Sequence, residues 1–197
     1  MSEQVPPPRS PQSKKVLSSL FAWWPVMVGG LILLAVGVLL LNRNPFSCIL
    51  RKSLSLSTAS ALETAVINFR SEYGKLPDPR DSKTSTDSTI ATTGEEGQRL
   101  LAILTGRETG PTHQNPRGLN FFRCREGKEG KNGLIELPSK TYELRDSSGD
   151  PYYLRIDFDQ NEELNVPGNQ LGTETIRGRR VAVYTIGHDE KNAVRTW

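Results

Sequence analysis

Histidine and cysteine are nearly missing from this chain, which has two of each in 197 residues. Cys48 and Cys124 are too few for a disulfide framework and form no Cys-x-x-Cys pair. Two unpaired thiols are the expectation, with a Cys48–Cys124 bridge as the alternative. His113 and His188 lie too far apart for a His-Glu-x-x-His zinc helix, and neither a Gly-x-Ser-x-Gly elbow nor a phosphate-cradling P-loop occurs. His113 sits in the turn-rich "GPTHQNP", and His188 occupies a turn position beside Asp189. These absences remove the usual metalloprotease, serine-hydrolase, nucleotide-binding and thiol-redox chemistries. The chain is therefore expected not to be an enzyme. A hydrolase built on paired carboxylates is the enzymatic reading left open, because carboxylate separation is not legible in sequence.

Charge is missing from one long stretch: none occurs between Lys15 and Arg43. Its densest part, residues 21–41, matches the roughly 20 apolar residues needed to cross a bilayer. Trp23 and Trp24 stand at one end, where indoles favour the membrane–water interface. Asn42, Arg43, Asn44 and Pro45 follow without the small-residue site of a cleaved signal peptide. The expectation is a disordered cytoplasmic tail over 1–15, a transmembrane helix over 16–42 with the lipid bilayer as its partner, and a linker over 43–53. Gly29, Gly30 and Gly37 offer small surfaces for helix packing in that span. Basic residues flank it on both sides, so orientation rests on the short tail and long following segment, which fit an N-inside anchor.

The net charge of +3 belongs to this N-terminal region. Beyond residue 52 there are 19 Lys and Arg against 21 Asp and Glu, a balance near −2. No basic surface calls for nucleic acid.

What is present after the linker reads as helices first and strands later. In "SLSTASALETAVINFRSEYG", Leu62, Ala65, Val66, Phe69 and Tyr73 recur at helical spacing on one face. Ser60 to Glu63 has capping-box spacing, and Gly74 with Pro77 closes the segment. Residues 78–94 read as a long polar loop, "EEGQRLLAILTGRE" as a second helix, and "NPRGLNFF" as a turn leading to an apolar segment. Residues 125–133 read as an exposed, hairpin-like loop. Residues 152–158 and 179–187 read as strands, the second with Val181, Val183 and Thr185 on one face and Ala182, Tyr184 and Ile186 on the other. This order points to an α+β domain over 54–197, an amphipathic helix packed on a small antiparallel sheet.

Four stretches of that domain stand in a familiar order. "FRSEYGKLP" resembles the ending of the N-terminal helix of major pseudopilins of type II secretion. "LLAILTGRE" followed by "NPRGLNFF" is similar to a middle region of some pseudopilin-like proteins. Residues 146–152, Asp-Ser-Ser-Gly-Asp-Pro-Tyr, share four of seven positions with the family's Asp-Pro-Trp-Gly-Asn-Pro-Tyr signature. Tyr184 to Glu190 is similar to the family's closing strand and loop. The resemblance implies a pseudopilin-like α+β fold and a structural role in an envelope secretion or pilus-like assembly. Its implied partners are other envelope or secretion-system proteins, or further copies of the chain. It places the chain in a bacterial inner membrane as a single-pass protein, with the C-terminal domain periplasmic. It also implies calcium in the loop after the last strand, where Asp189 is the matching ligand. Pilin-type processing has no counterpart: the apolar run contains no glutamate, and the fifth residue after Gly30 is Ala35. A pseudopilin-type domain on a plain anchor is the expectation, with a membrane-tethered binding module that enters no filament as the alternative.

Two acidic stretches are shaped by turns on elementary grounds. Asp146 can accept backbone N–H groups, Gly149 supplies a positive φ, and Pro151 biases Asp150 toward extended backbone. Asp157, Asp159, Asn161 and Glu163 mimic the start of an EF-hand loop. Glu162 stands where its glycine belongs and Gly168 where its bidentate glutamate belongs, so a solvated turn is expected there.

Overall fold

The computed structural model describes residues 28–32, 45–80, 86–109, 113–167, 172–186 and 193–197. The chain divides into two compact units, Met1–Pro45 and Phe46–Trp197. In the first unit residues 28–32 are helical. The transmembrane helix expected over 16–42 is corrected here: among the described residues no helix is long and apolar enough to cross a membrane. The rest of 16–42, like the 1–15 tail, lies outside the described residues. The one long described helix fails the requirement because it carries Arg51, Lys52, Glu63, Arg70 and Glu72 along its length.

That helix, α1 (Pro45–Tyr73), has 29 residues. The expected linker over 43–53 is helical from residue 45, and Ser60 is an interior residue rather than a cap. Proline is tolerated in the first helical turn, where its missing N–H has no partner to lose. Leu54, Ser55, Thr58 and Ala59 then extend the inward stripe toward the N-terminus at the same spacing. Ala59, Leu62, Ala65, Val66 and Phe69 are fully buried. Gly74 takes φ 71° after the last turn, and its N–H bonds to the Arg70 carbonyl at 2.7 Å.

The second helix, α2 (Gly94–Thr105), begins with Glu95 and Glu96, whose charges suit a helix N-terminus. It ends at Gly106, φ 70°, whose N–H reaches the Ile103 carbonyl while Arg107 N–H reaches Ala102. This paired closure needs a left-handed residue. A side chain at 106 would also lie 2.4 Å from the Gly118 carbonyl oxygen. Buried Asn115 ties the helix ends together: it accepts from the Tyr73 hydroxyl at 2.7 Å and donates to the Ile103 carbonyl at 2.8 Å.

Among the described residues seven short strands make three antiparallel sheets: β1 (Ser88–Ala91), β2 (Gly133–Glu136), β3 (Tyr142–Arg145), β4 (Tyr153–Ile156), β5 (Glu163–Pro167), β6 (Thr173–Arg177) and β7 (Val181–Tyr184). The main sheet has the order β1-β4-β7, and β2-β3 and β5-β6 are hairpins. The arrangement is α+β, with mixed helices and small antiparallel sheets. Leu154 pairs with Val183 and Ile156 with Val181, so these four side chains share the face that meets α1 and α2 in the main core. On the opposite face the β5-β6 hairpin sets Leu164 and Val166 against Ala182. Strand β7 is therefore buried on both faces, which its unbroken apolar sequence requires. Residues 193–197 run beside β7: Thr185 N–H bonds to Val194 O and Thr196 N–H to Val183 O.

Candidate functional site

The turn at 146–150 is the best-ordered polar feature. Asp146, 3% exposed, accepts the N–H groups of Ser148, Gly149 and Asp150 on Oδ1 at 2.8, 2.9 and 2.9 Å. Gly149 has φ 98°. The turn docks on α1, where the Ser147 and Ser55 hydroxyls are 3.0 Å apart. The Tyr152 hydroxyl donates to the Ser55 carbonyl at 3.2 Å. Burial pushes the Tyr152 phenol up to about 12, so it remains a donor at neutral pH. These carboxyl and hydroxyl groups spend their capacity on holding chain segments together.

A second acidic group has a different character. Asp87 precedes β1 and Asp157 follows β4, and the register pairs Ser88 with Ile156, which sets Asp87 across from Asp157. Asp159 joins them from the turn toward β5. One carboxylate oxygen from each of the three lies within 4.8 Å of the others. Residues 159–163 are exposed, as expected of a solvated turn, but Asp157 is fully buried. Its oxygens accept the N–H groups of Asn161 and Glu162 at 3.1 and 3.2 Å. Burial first, and then the neighbouring Asp159, push the Asp157 carboxyl above the ordinary carboxylate range. Burial and the charge of Asp159 do the same to Asp87. Two arginines face the group at the outer limit of ion pairing: Arg155 is 4.0 Å from Asp87 and Arg180 is 3.5 Å from Asp157. Arg180 makes its closer contact, 2.8 Å, with Glu162. Asp87 Oδ1 and Arg155 Nε are sealed from solvent with no hydrogen-bond partner among the described residues.

Two open surface grooves flank α1. One of ≈ 290 Å³ is lined by Ile67, Arg70, Ser71, Gly74, Leu76 and Arg180. The other, of ≈ 210 Å³, includes Leu54, Ala61, Phe122, Arg123, Cys124 and Arg125. Cys124 is a free thiol, and burial pushes its pKa up, away from the thiolate that nucleophilic chemistry needs. His113 is exposed. Neither groove is lined by the three carboxylates, although Arg180, which lines the first, is 3.5 Å from Asp157.

The metal ligand implied at Asp189, with His188 and Glu190 beside it, lies outside the described residues. Asp87 was invisible to sequence reasoning, because it becomes a neighbour of Asp157 only through the pairing of a strand hidden in a Ser- and Thr-rich stretch. The Asp-x-Asp-x-Asn spacing at 157–161 was the available signal, and it was assigned to solvent. No protein-family model, curated protein or solved structure matches the chain.

Proposed function

We propose that this chain is a structural interaction protein of an envelope secretion or pilus-like assembly, of the kind the pseudopilin resemblance implies. Its working surface is the N-terminal part of α1. The observation that carries this reading is the change of character along that helix. From Ala59 to Phe69 its apolar stripe is buried, whereas Ile49 and Leu50 are 67% and 63% exposed. Leu56 and Ile67 are also exposed. Helical stability in proteins comes mainly from packing an apolar face, so a helical turn with exposed isoleucine and leucine is best stabilised by a neighbour. The hydropathy of the preceding sequence favours attachment to a bacterial inner membrane, with the α+β domain on the periplasmic side. The polar groups of the domain support the same reading, since the Asp146 turn and Asn115 are consumed by structural hydrogen bonds.

The test is self-association of the full chain, measured by light scattering after extraction, for the parent and an Ile49→Glu/Leu50→Glu variant. Burying one such side chain contributes about 1.5–3 kcal/mol, so the double change should weaken assembly by well over about tenfold. The melting temperature of the domain should stay unchanged. A parent that is monomeric and retains a small molecule would favour the binding-module alternative instead.

A further inference from the structure

Three carboxylates brought together by strand register present chemistry that the interaction role does not use. We propose that Asp87, Asp157 and Asp159 form a binding site for a hard divalent cation of the calcium class, clamping the entry of β1 to the turn after β4. Two oxygens that each sit about 2.4 Å from one ion are at most about 4.8 Å apart. The three carboxylate oxygens lie within 4.8 Å of one another, so each pair can share one ion, and small side-chain adjustments bring all three to it.

An independent observation points the same way. The Asp87 side chain is only 10% exposed, and its Oδ1 is sealed from solvent with no hydrogen-bond partner among the described residues. Buried acceptors without a donor are rare in folded proteins. A cation bound by the Asp87 carboxylate would give this oxygen the partner that it lacks among the described residues. The surrounding cations do not complete the site. Arg155 and Arg180 stand at 4.0 and 3.5 Å, and Arg180 is shared with Glu162 at 2.8 Å. With Glu162 counted, four carboxylates face Arg155 and Arg180, while Arg80, stacked over the Phe158 ring nearby, is paired with Asp78.

The donor set selects the ion. Carboxylate oxygens suit calcium and magnesium rather than the softer transition metals. Asp157 and Asp159 are already held by the Asn161 and Glu162 N–H groups. They cannot readily draw in to the 2.0–2.1 Å octahedron of magnesium, whereas calcium accepts irregular geometry at longer distance. Three side-chain ligands leave several positions for backbone carbonyls or water, which places affinity in the roughly 10⁻⁴–10⁻³ M range of extracellular calcium modules. The three residues proposed are other than Asp189, which lies outside the described residues.

The experiment is a thermal melt of the full chain in EDTA and with calcium or magnesium raised to about 10 mM, above the expected range. It is run on the parent, Asp87→Asn, Asp159→Asn and Asp189→Asn, with calcium binding followed by calorimetry. The proposal expects saturable binding of one calcium at these residues, a rise in Tm with calcium and a smaller one with magnesium. Both effects should vanish in Asp87→Asn and Asp159→Asn and persist in Asp189→Asn. In EDTA the Asp159→Asn chain should melt no lower than the parent, because a repelling charge has been removed. Asp159 is exposed, so its variant carries the test even where Asp87→Asn folds poorly. No shift of the parent at the highest calcium, or a shift that survives both variants, overturns the proposal. So does a shift abolished by Asp189→Asn alone.

Discussion

Replacing Asp146 by alanine should cost the domain about 2–4 kcal/mol, a figure that can be built from the turn it organises. Oδ1 of Asp146 accepts three backbone N–H groups. Gly149 N–H has a second acceptor in the Asp146 carbonyl at 3.2 Å, which survives the substitution. The Ser148 and Asp150 N–H groups therefore lose their acceptor outright. A hydrogen bond to a charged group contributes about 1.5–3 kcal/mol, and partial exposure of residues 148–150 lets water recover some of that. Two such losses total about 3–6 kcal/mol, and recovery of about a third of that by water gives the range stated. For a domain of this size each kcal/mol moves Tm by about 2–4 °C, so calorimetry should show a fall of roughly 4–16 °C. Asp146→Asn keeps an oxygen in place and should recover most of the difference. An alanine variant within about 1 °C of the parent, or an asparagine variant as unstable as alanine, would refute the reasoning, because the carboxylate would then not be organising the turn.

Thr92 joins the main sheet to the β2-β3 hairpin: its fully buried hydroxyl donates to the Leu144 carbonyl at 2.6 Å and accepts the Tyr152 N–H at 2.9 Å. Thr92→Val should cost about 2–4 kcal/mol in urea unfolding, and Thr92→Ser much less, since two buried partners are orphaned only by valine. Gly97→Ala should cost about 3 kcal/mol or more, or prevent folding, because a Cβ there would lie 2.1 Å from the Ala91 carbonyl oxygen. Stability should fall as pH rises from 10.0, the ordinary tyrosine value, toward about 12, the value of buried Tyr152. In that window the unfolded chain loses the phenolic proton and the folded chain keeps it, so unfolding gains about 2–3 kcal/mol by pH 12. Tyr152→Phe should flatten this slope, and an unchanged slope would show that burial of this phenol does not set it.

Sequence reading succeeded where the governing physics is local. The spacing of Leu62, Ala65, Val66 and Phe69 sets the buried face of α1. Gly106 closes α2 through its own backbone, and Asp146 with Gly149 makes its turn from neighbours in sequence. Strands β4 and β7 were legible because β-branched and aromatic residues cluster between turn formers. Strand β1 was not, since "STIA" has one fully buried residue, Ile90, in a polar stretch and gains its strand character from pairing with β4. Hairpin β5-β6 is similarly polar on its outer face, with Leu164 and Val166 buried only because Ala182 lies beneath them. The start of α1 at Pro45 falls within the expected linker over 43–53, because Arg51 and Lys52 interrupt the apolar residues there. The acidic cluster failed for the reason β1 failed: its third member arrives through long-range register.

The claim that α1 is a docking element is tested most directly in intact cells. A photo-crosslinking residue would be placed at Leu50 and, as a control, at Thr175, which is exposed on β6. The account predicts discrete crosslinked products from position 50, at the mass of two chains or of the chain joined to a second envelope protein, and none from position 175. A chain that stays monomeric from position 50, or that crosslinks equally from both positions, would contradict it.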